Sequence, residues 1–334
     1  HCQLSRGVLY MEKNLNCDLP LVSILLAVYK PNEKWLIEQL VSLNNQSYGN
    51  LELYVYDDCP ECPVDEDLFK KYITQFEYKI VRGQINQGSN KAFEELTKIG
   101  NGDYFVYCDQ DDIWETDKIE ILVHTIKMEK SVLVYSDMSV IDGNGKYKYG
   151  TLLEEKPRIK YVYGEKLLKR FFFKNCVSGC CMLVEKNIAQ KAVPFSSVLV
   201  HDQWICVVAS VYGKISFINK PLVKYRIHGN NQTGSLKGIS NKSDYYNFRV
   251  RTLSRRLEEL KRVISIKKSL ERESDECNLN RELYEIQEFC SARINRTILK
   301  IFKYRYLCEN EAYFEILIKY MPRWCVKHLL KKLK

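Results

Sequence analysis

The chain has 334 residues, 46% of them hydrophobic and 28% charged, and a formal net charge of +9. This is the profile of an ordinary soluble globular protein, long enough for one large α/β domain with an appendage or for two domains. It contains no run of about 18 apolar residues, which excludes an obvious transmembrane helix.

The opening residues, "HCQLSRGVLY", lack the apolar core of a secretory signal, and Met11 reads as a candidate natural start. "VSILLAVY" (22–29) is a continuous apolar run of strand length, punctuated by Pro31. A helix follows, with Trp35, Leu36, Leu40 and Leu43 as its apolar face. "NLELYVYDD" (50–58) is a second strand ending on two aspartates. The loop after it holds Cys59-Pro-Glu-Cys62, which has metal or redox spacing but lacks the second half-site that zinc needs, so it reads as an ordinary loop. A helix over about 65–76, the strand "YKIVRG" and "NQGSNKAFEELTKI", a turn opening a helix at Ser89 or Asn90, come next. "DYFVYCDQDD" is the fourth strand. Strands alternating with helices predict a mostly parallel α/β sheet, in which ligands bind beyond the carboxyl ends of the strands.

Short strands dominate 132–234: "VLVYSDMSVID", "GCCMLVEK" and "GKISFINKPLVKYRIHG". The most apolar stretch, Val193 to Ile218, is interrupted by His201, Asp202, Gln203 and Lys214. Beyond Ser235 the composition turns to Lys, Arg, Glu and Leu at helical spacing. "YNFRVRTLSRRLEELKRVISIKKSLE" is a long amphipathic helix, and two or three helices are expected in all. The closing "MPRWCVKHLLKKLK" carries five Lys or Arg and no acid, a pattern that suits an anionic membrane surface, an acidic partner or a solvated helix end. Thirteen cysteines, some in apparent core elements such as Cys108 and Cys206, point to free thiols in a reducing cytoplasm.

The sharpest local signal is Asp109-x-Asp111 with Asp112, directly after a strand. Like charges this close repel unless a cation sits among them. Hard oxygen ligands on a short turn suit Mg²⁺ or Mn²⁺, which can bridge a diphosphate and stabilise its departure. The plainer reading is a polar turn with an Asp capping a helix near Thr116. No G-x-G-x-x-G follows the first strand and no P-loop is present, which argues against a dinucleotide-binding dehydrogenase.

In order, "VSILLAVYKP", "EQLVSLNNQSYGNLELYVYDD", "NQGSNKAFEEL", "DYFVYCDQDDIW" and "VLVHDQW" resemble a family 2 glycosyltransferase of the GT-A fold, nearest to its bacterial rhamnosyltransferase-like branch. The resemblance covers roughly 20–235. It implies that Ala27 and Tyr29 line the base, that Asp58 accepts from the pyrimidine N3–H, and that Arg82, Asn86 and Asn90 approach the donor. "DDCPEC" departs from the family's more usual "DDGS". Asn90 is equally a plain N-cap. The same resemblance makes Asp111 a direct metal ligand, Asp109 its partner nearer the ribose, and Asp112 a supporting or helix-start charge. His228, in "KYRIHGNNQTG", completes the metal site from a loop closing over the donor, or is a structural loop histidine; Arg226 is the alternative in this segment, a guanidinium able to hold the diphosphate instead. Ser178 and Gly179 face the acceptor sugar. Asp202, in "HDQW", is the general base of an inverting transfer, with His201 able to pair with it; its plain reading is an N-cap.

The expected reaction is therefore metal-dependent transfer from a nucleotide-sugar, dTDP-rhamnose favoured or a UDP-hexose, to a hydroxyl of a cell-surface glycan or lipid-linked oligosaccharide. Nucleic acid is not an expected partner. The expected location is cytoplasmic, peripheral at the inner membrane face through the basic tail. Rival readings are a polyprenyl-phosphate glycosyltransferase, a nucleotidyltransferase, for which the basic Gly-rich loop is lacking, and a non-catalytic binding module. The expected divisions are an N-terminal segment (1–19), a donor half (20–130), an acceptor half (131–235) and a helical, basic extension (236–334).

Overall fold

The computed structural model describes residues 19–229, 239–270 and 276–332. The chain divides into two compact units. One comprises the residues up to Gly164 with Cys176–Phe195 and Gly213–His228; the other comprises Glu165–Asn175, Ser196–Tyr212 and the chain from Gly229 on.

The first unit carries β1 (Val22–Val28), α1 (Glu33–Asn44), β2 (Leu51–Asp57), α2 (Glu66–Tyr72), β3 (Glu77–Arg82), α3 (Ser89–Ile99), β4 (Tyr104–Cys108), β5 (Ile113–Trp114) and α4 (Lys118–Glu129). It continues with β6 (Leu133–Ile141), β7 (Tyr147–Tyr149), α5 (Leu152–Glu155), β8 (Met182–Glu185), α6 (Lys186–Lys191) and β9 (Ile215–Arg226). The strands form one sheet in the order β3-β2-β1-β4-β8-β6-β9-β5, with β7 paired to β6. β1 runs parallel to β2 and to β4, and among its residues only Ala27 is half-exposed. A strand flanked on both edges and buried on both faces has no use for alternation, which is why "VSILLAV" reads as an unbroken apolar run. The chain visits β2 and β3 on one side of β1 and then crosses to β4 on the other. The order therefore reverses between β1 and β4, the place where α/β sheets open a ligand crevice.

The turn into β4 is tight. Gly102 N–H donates to Ser23 Oγ at 2.7 Å, and a Cβ at Gly102 would stand 2.6 Å from Ser23 N and 2.7 Å from Leu21 O. Both neighbours are backbone and cannot rotate away. Gly102→Ala is expected to cost about 1–3 kcal/mol, read as a lowered urea midpoint; an unchanged midpoint would contradict the packing.

The second unit holds α7 (Leu168–Phe173), α8 (His201–Tyr212), α9 (Lys242–Tyr245), a π-helical segment (Tyr246–Arg251) that runs into α10 (Thr252–Leu270), and α11 (Glu276–Ile294). Then come α12 (Ile298–Lys303), α13 (Glu309–Tyr320) and α14 (Arg323–Lys332). The helical region beyond residue 235 thus has more helices than the two or three expected, because Pro322 and short polar turns divide it. Phe289, Ala292, Ile301, Tyr304, Cys308 and Ala312 form its core cluster, with Phe173 packed against it. Inside this unit Arg293 and Glu315, both nearly inaccessible, pair at 2.6 Å. Tyr245 Oη also donates to Glu315, at 3.0 Å. Losing one partner of such a pair would strand a buried charge.

Most predicted elements occur within a residue or two of their expected bounds. The helix expected over 65–76 ends at Tyr72, and that expected near Thr116 begins at Lys118 after an Asp117 that makes no side-chain cap. Among the described residues no helix is long and apolar enough to cross a membrane, and every described cysteine is a free thiol.

Candidate active site

Three strand ends meet at the carboxyl edge of the sheet around the β1–β4 reversal. From β1 comes Tyr29, 40% exposed, whose main chain is clamped by one side chain. Gln110 Oε1 accepts from Tyr29 N–H at 2.8 Å, and Gln110 Nε2 donates to Tyr29 O at 3.1 Å. Gln110 thus locks the loop after β1 to the loop after β4, a role the sequence reading did not assign.

From β2 come Asp57 and Asp58, both 2% exposed. Asp57 folds the Cys59–Val64 loop back on itself, accepting from Cys59 N–H (3.1 Å) and Val64 N–H (2.8 Å). Arg82, expected at the donor, pairs instead with Asp57 at 3.0 Å and with Glu66 at 3.8 Å. The parallel register sets Arg82 opposite Asp57, so the ion pair follows from the pairing of β2 with β3. Asp58 accepts from Gln87 N–H (2.9 Å) and Gly88 N–H (2.7 Å). Gly88 lies at φ 82, a left-handed conformation that favours glycine. The exposed Asn86 also accepts from Gly88 N–H, at 3.0 Å. Asn90 is not the cap of α3: the helix starts at Ser89 with Gly88 in the cap position.

From β4 come the carboxylates, and β9 brings the groups that meet them. β5 and β9 pair antiparallel with Ile113 opposite Lys224, so continuing the register sets Arg226 beside Asp111 and Asp112. Arg226 N–H donates to Asp112 Oδ1 at 3.0 Å and its Nε to Asp111 O at 2.8 Å. Its guanidinium also pairs with Glu38 at 2.5 Å, with the Arg226 side chain 0% exposed, and donates to the Asp142 carbonyl at 3.2 Å. Arg226 was expected to hold a diphosphate; in this conformation it is a buried strut joining α1, β4 and β9.

Two residues further on, His228 Nε2 lies 2.6 Å from Asp111 Oδ2, with both side chains partly exposed. Trp35 braces this corner. Its ring centroid is 4.8 Å from that of His228 and 5.4 Å from the Arg226 guanidinium carbon, and its Nε1 donates to Gly143 O at 2.9 Å. Trp35, expected in the core face of its helix, is half-exposed and belongs to the site. Residues 230–234, expected to close over the donor, lie outside the described residues.

Asp109 is half-buried, and its carboxylate, that of Asp112 and the Cys180 thiol all lie within 4.8 Å of one another. Cys180 arrives because β8 runs antiparallel to β4, Val106 facing Leu183; the 3-10 turn Gly179–Cys181 before it therefore abuts the end of β4. Ser178 is half-buried at the start of that turn and Gly179 is buried within it. Buried Lys118 anchors the turn, donating to Cys180 O at 2.7 Å, and lies 3.0 Å from the Trp114 ring centroid. Burial lowers the Lys118 ammonium to about 8, against the pull of Cys181, Cys180, Cys108 and Asp112. Burial, then the charges of Asp111 and Asp109, push the Asp112 carboxyl well above the usual carboxylate range. Asp112 is thus an enclosed support for the β9 backbone.

Asp202 lies in the second unit, half-buried in the first turn of α8. Its Oδ1 accepts from Asn175 Nδ2 at 3.0 Å and from Gln203 N–H at 2.5 Å. Burial lowers its neighbour His201 to about 3, so the imidazole is neutral near pH 7 and offers Asp202 no positive charge. The sign for stability is direct. Between pH 6.5 and about 3 the unfolded chain binds a proton that the native His201 refuses. Stability from this site is full above pH 6.5 and falls on acidification by up to about 1.4 kcal/mol per pH unit. His201→Phe is expected to flatten the urea midpoint against pH over this window; an unaltered slope would contradict the assignment.

The donor set fits a divalent ion. Asp111 and His228 are hydrogen-bonded to each other at 2.6 Å; carboxylate oxygens such as those of Asp109 and Asp111 suit Mg²⁺ or Mn²⁺, and an added imidazole favours Mn²⁺ over Mg²⁺.

Comparison with known proteins bears on the family and the fold. The sequence model of glycosyl transferase family 2 matches residues 23–192, just over half of the 334. The chain is 26% identical to the Escherichia coli UDP-Glc:alpha-D-GlcNAc-diphosphoundecaprenol beta-1,3-glucosyltransferase WfgD, over 62% of this chain and 77% of that one. It is 25% identical to the dTDP-rhamnosyl transferase RfbG of Shigella flexneri, over 64% of this chain and 74% of that one. Its fold is similar to that of S. aureus TarS 1–349 in complex with UDP-GlcNAc, with a TM-score of 0.55 and 16% identity over 87% of this chain and 88% of that one.

Proposed function

The chain belongs to glycosyl transferase family 2, and from that premise we propose that it is an inverting, metal-dependent glycosyltransferase acting on a nucleotide-sugar. The observation that carries this reading is the Asp111–His228 pair at 2.6 Å beyond the end of β4, where the strand order reverses and a diphosphate would be held. Asp111 and His228, with Asp109, are the residues that would hold Mn²⁺ or Mg²⁺, and the ion would supply positive charge against the departing diphosphate. Tyr29 and Ala27 would line the base and Asp58 its polar edge. Asp58 reaches that role with both oxygens already accepting backbone N–H bonds, which fix the orientation of its carboxylate.

In the transfer, the acceptor hydroxyl oxygen bonds to the anomeric carbon as the carbon–oxygen bond to the diphosphate breaks. The nucleoside diphosphate carries away the bonding electron pair. We assign the hydroxyl proton to Asp202, the base of this reading, whose carboxylate is oriented by Asn175. The relatives span a dTDP-rhamnose and a UDP-glucose enzyme at nearly equal identity. Rhamnose from dTDP-rhamnose remains the favoured donor and a UDP-hexose the alternative. A glycan carried on a polyprenyl diphosphate is the acceptor class favoured by the likeness to WfgD, and an acceptor of that kind would hold the enzyme at a membrane face.

The test is nucleotide release from a panel of UDP-, GDP- and dTDP-sugars with Mn²⁺, Mg²⁺ or EDTA. Slow hydrolysis of one donor, lost in EDTA, is expected. Absence of both turnover and metal-dependent nucleotide binding would overturn the reading and favour a vestigial donor site.

A further inference from the structure

The second unit presents an apolar surface that its own core does not use. On α13 the buried residues are Ala312, Glu315 and Ile318, and on the opposite side Tyr313, Leu317 and Tyr320 stand exposed at successive turns. On α12 and the 3-10 turn after it (Arg305–Leu307), Leu299, Phe302 and Tyr306 form a second exposed row at helical spacing. Leu299 is 84% exposed and Trp324, at the start of α14, 74%. Arg305 joins the rows into one patch: its guanidinium carbon lies 4.0 Å from the Phe302 ring centroid, and its Nε donates to Tyr313 Oη at 3.1 Å.

The charge around these rows is mainly positive, with Glu288 paired to Lys300 at 3.0 Å and Glu285 accepting from Tyr306 Oη at 2.9 Å. Residues 296–332 contain nine Lys or Arg against three Glu. Two of those acids are spoken for within the unit, Glu315 by Arg293 and Glu311 by Lys174. Exposed Tyr and Trp with interleaved Lys and Arg is a composition that partitions to the boundary of an anionic bilayer: rings sit at headgroup depth, and long cationic side chains reach the phosphates.

We propose that the face formed by α12, the turn after it and α13 docks on an anionic phospholipid surface, with Leu299, Phe302 and Leu317 as its apolar anchors. The inference rests on the lipid-linked acceptor of the reading above, which needs the enzyme held at a bilayer. It moves the contact from the basic tail alone to a folded aromatic face.

The test is flotation of the full chain with vesicles of phosphatidylglycerol and phosphatidylcholine, against phosphatidylcholine alone. Leu299→Ser/Phe302→Ser/Leu317→Ser serves as the variant, its fold checked by thermal melting. The wild type is expected to favour anionic vesicles by about tenfold or more and to be released by high salt. The variant should lose about tenfold or more in partition while hydrolysing donor in solution at the wild-type rate. Wild-type chain that floats with neither vesicle overturns the proposal, as does a variant that binds like wild type. A variant altered only in self-association assigns the face to a second copy and likewise overturns it. Vesicle binding with neither donor turnover nor metal-dependent nucleotide binding leaves the docking face standing and removes only the glycosyl-transfer reading.

Discussion

Asp111→Asn is expected to lower donor turnover by about 10³-fold or more, close to the loss caused by EDTA. That is about 4 kcal/mol of transition-state stabilisation. The substitution keeps size and shape but removes the charge that faces His228 at 2.6 Å. Asp111 O would still accept from Arg226 Nε, because that bond uses the backbone carbonyl, so the corner is expected to stay folded. The loss should therefore appear as weaker metal-dependent nucleotide binding with an unchanged melting temperature. Metal-independent turnover equal to wild type would remove Asp111 from the metal site.

Asp202→Asn is expected to lower kcat for transfer by about 10²–10⁴-fold while the KM for donor stays within about twofold. The reason for the split is that the proposed base acts on the acceptor proton, whereas the proposed donor-binding groups are other residues, in the first unit. Asn175 would keep a partner in the amide oxygen, so the local structure should persist. Asp202→Glu should recover part of kcat if the role is proton acceptance, and none if Asp202 only opens α8 as a helix-start charge. Parallel loss of donor affinity would contradict the assignment.

The strand ends were legible because their signals are local. "VSILLAVY", "LELYVYDD" and "YFVYCDQDD" each declare a strand by composition and end on polar residues a few positions later. That rule alone marked Asp57–Asp58 and Asp109 to Asp112 as candidates. The supports around them were not marked by it. Arg226 and Glu38 are 188 positions apart. An arginine near acids in a presumed active site reads as a ligand for anions until burial is known. Trp35 read as core from helical spacing because the periodicity of one helix reports which side is apolar and not that an exposed ring braces His228. Lys118 and Cys180, 62 positions apart, gave no pattern at all. Gln110 stood inside the most informative motif and was passed over, since a neutral amide among carboxylates announces no chemistry until its two bonds to Tyr29 are seen.

By itself, then, the sequence determined the α/β alternation, the family resemblance and the acidic strand ends, since each depends on residues close in the chain. The tertiary structure alone decided which charges are buried in pairs and which stay partly exposed. Desolvation and long-range pairing set that division: the same buried environment that makes Arg226 a strut and lifts the Asp112 carboxyl leaves Asp111 and His228 partly exposed, side by side, at the reversal of the sheet.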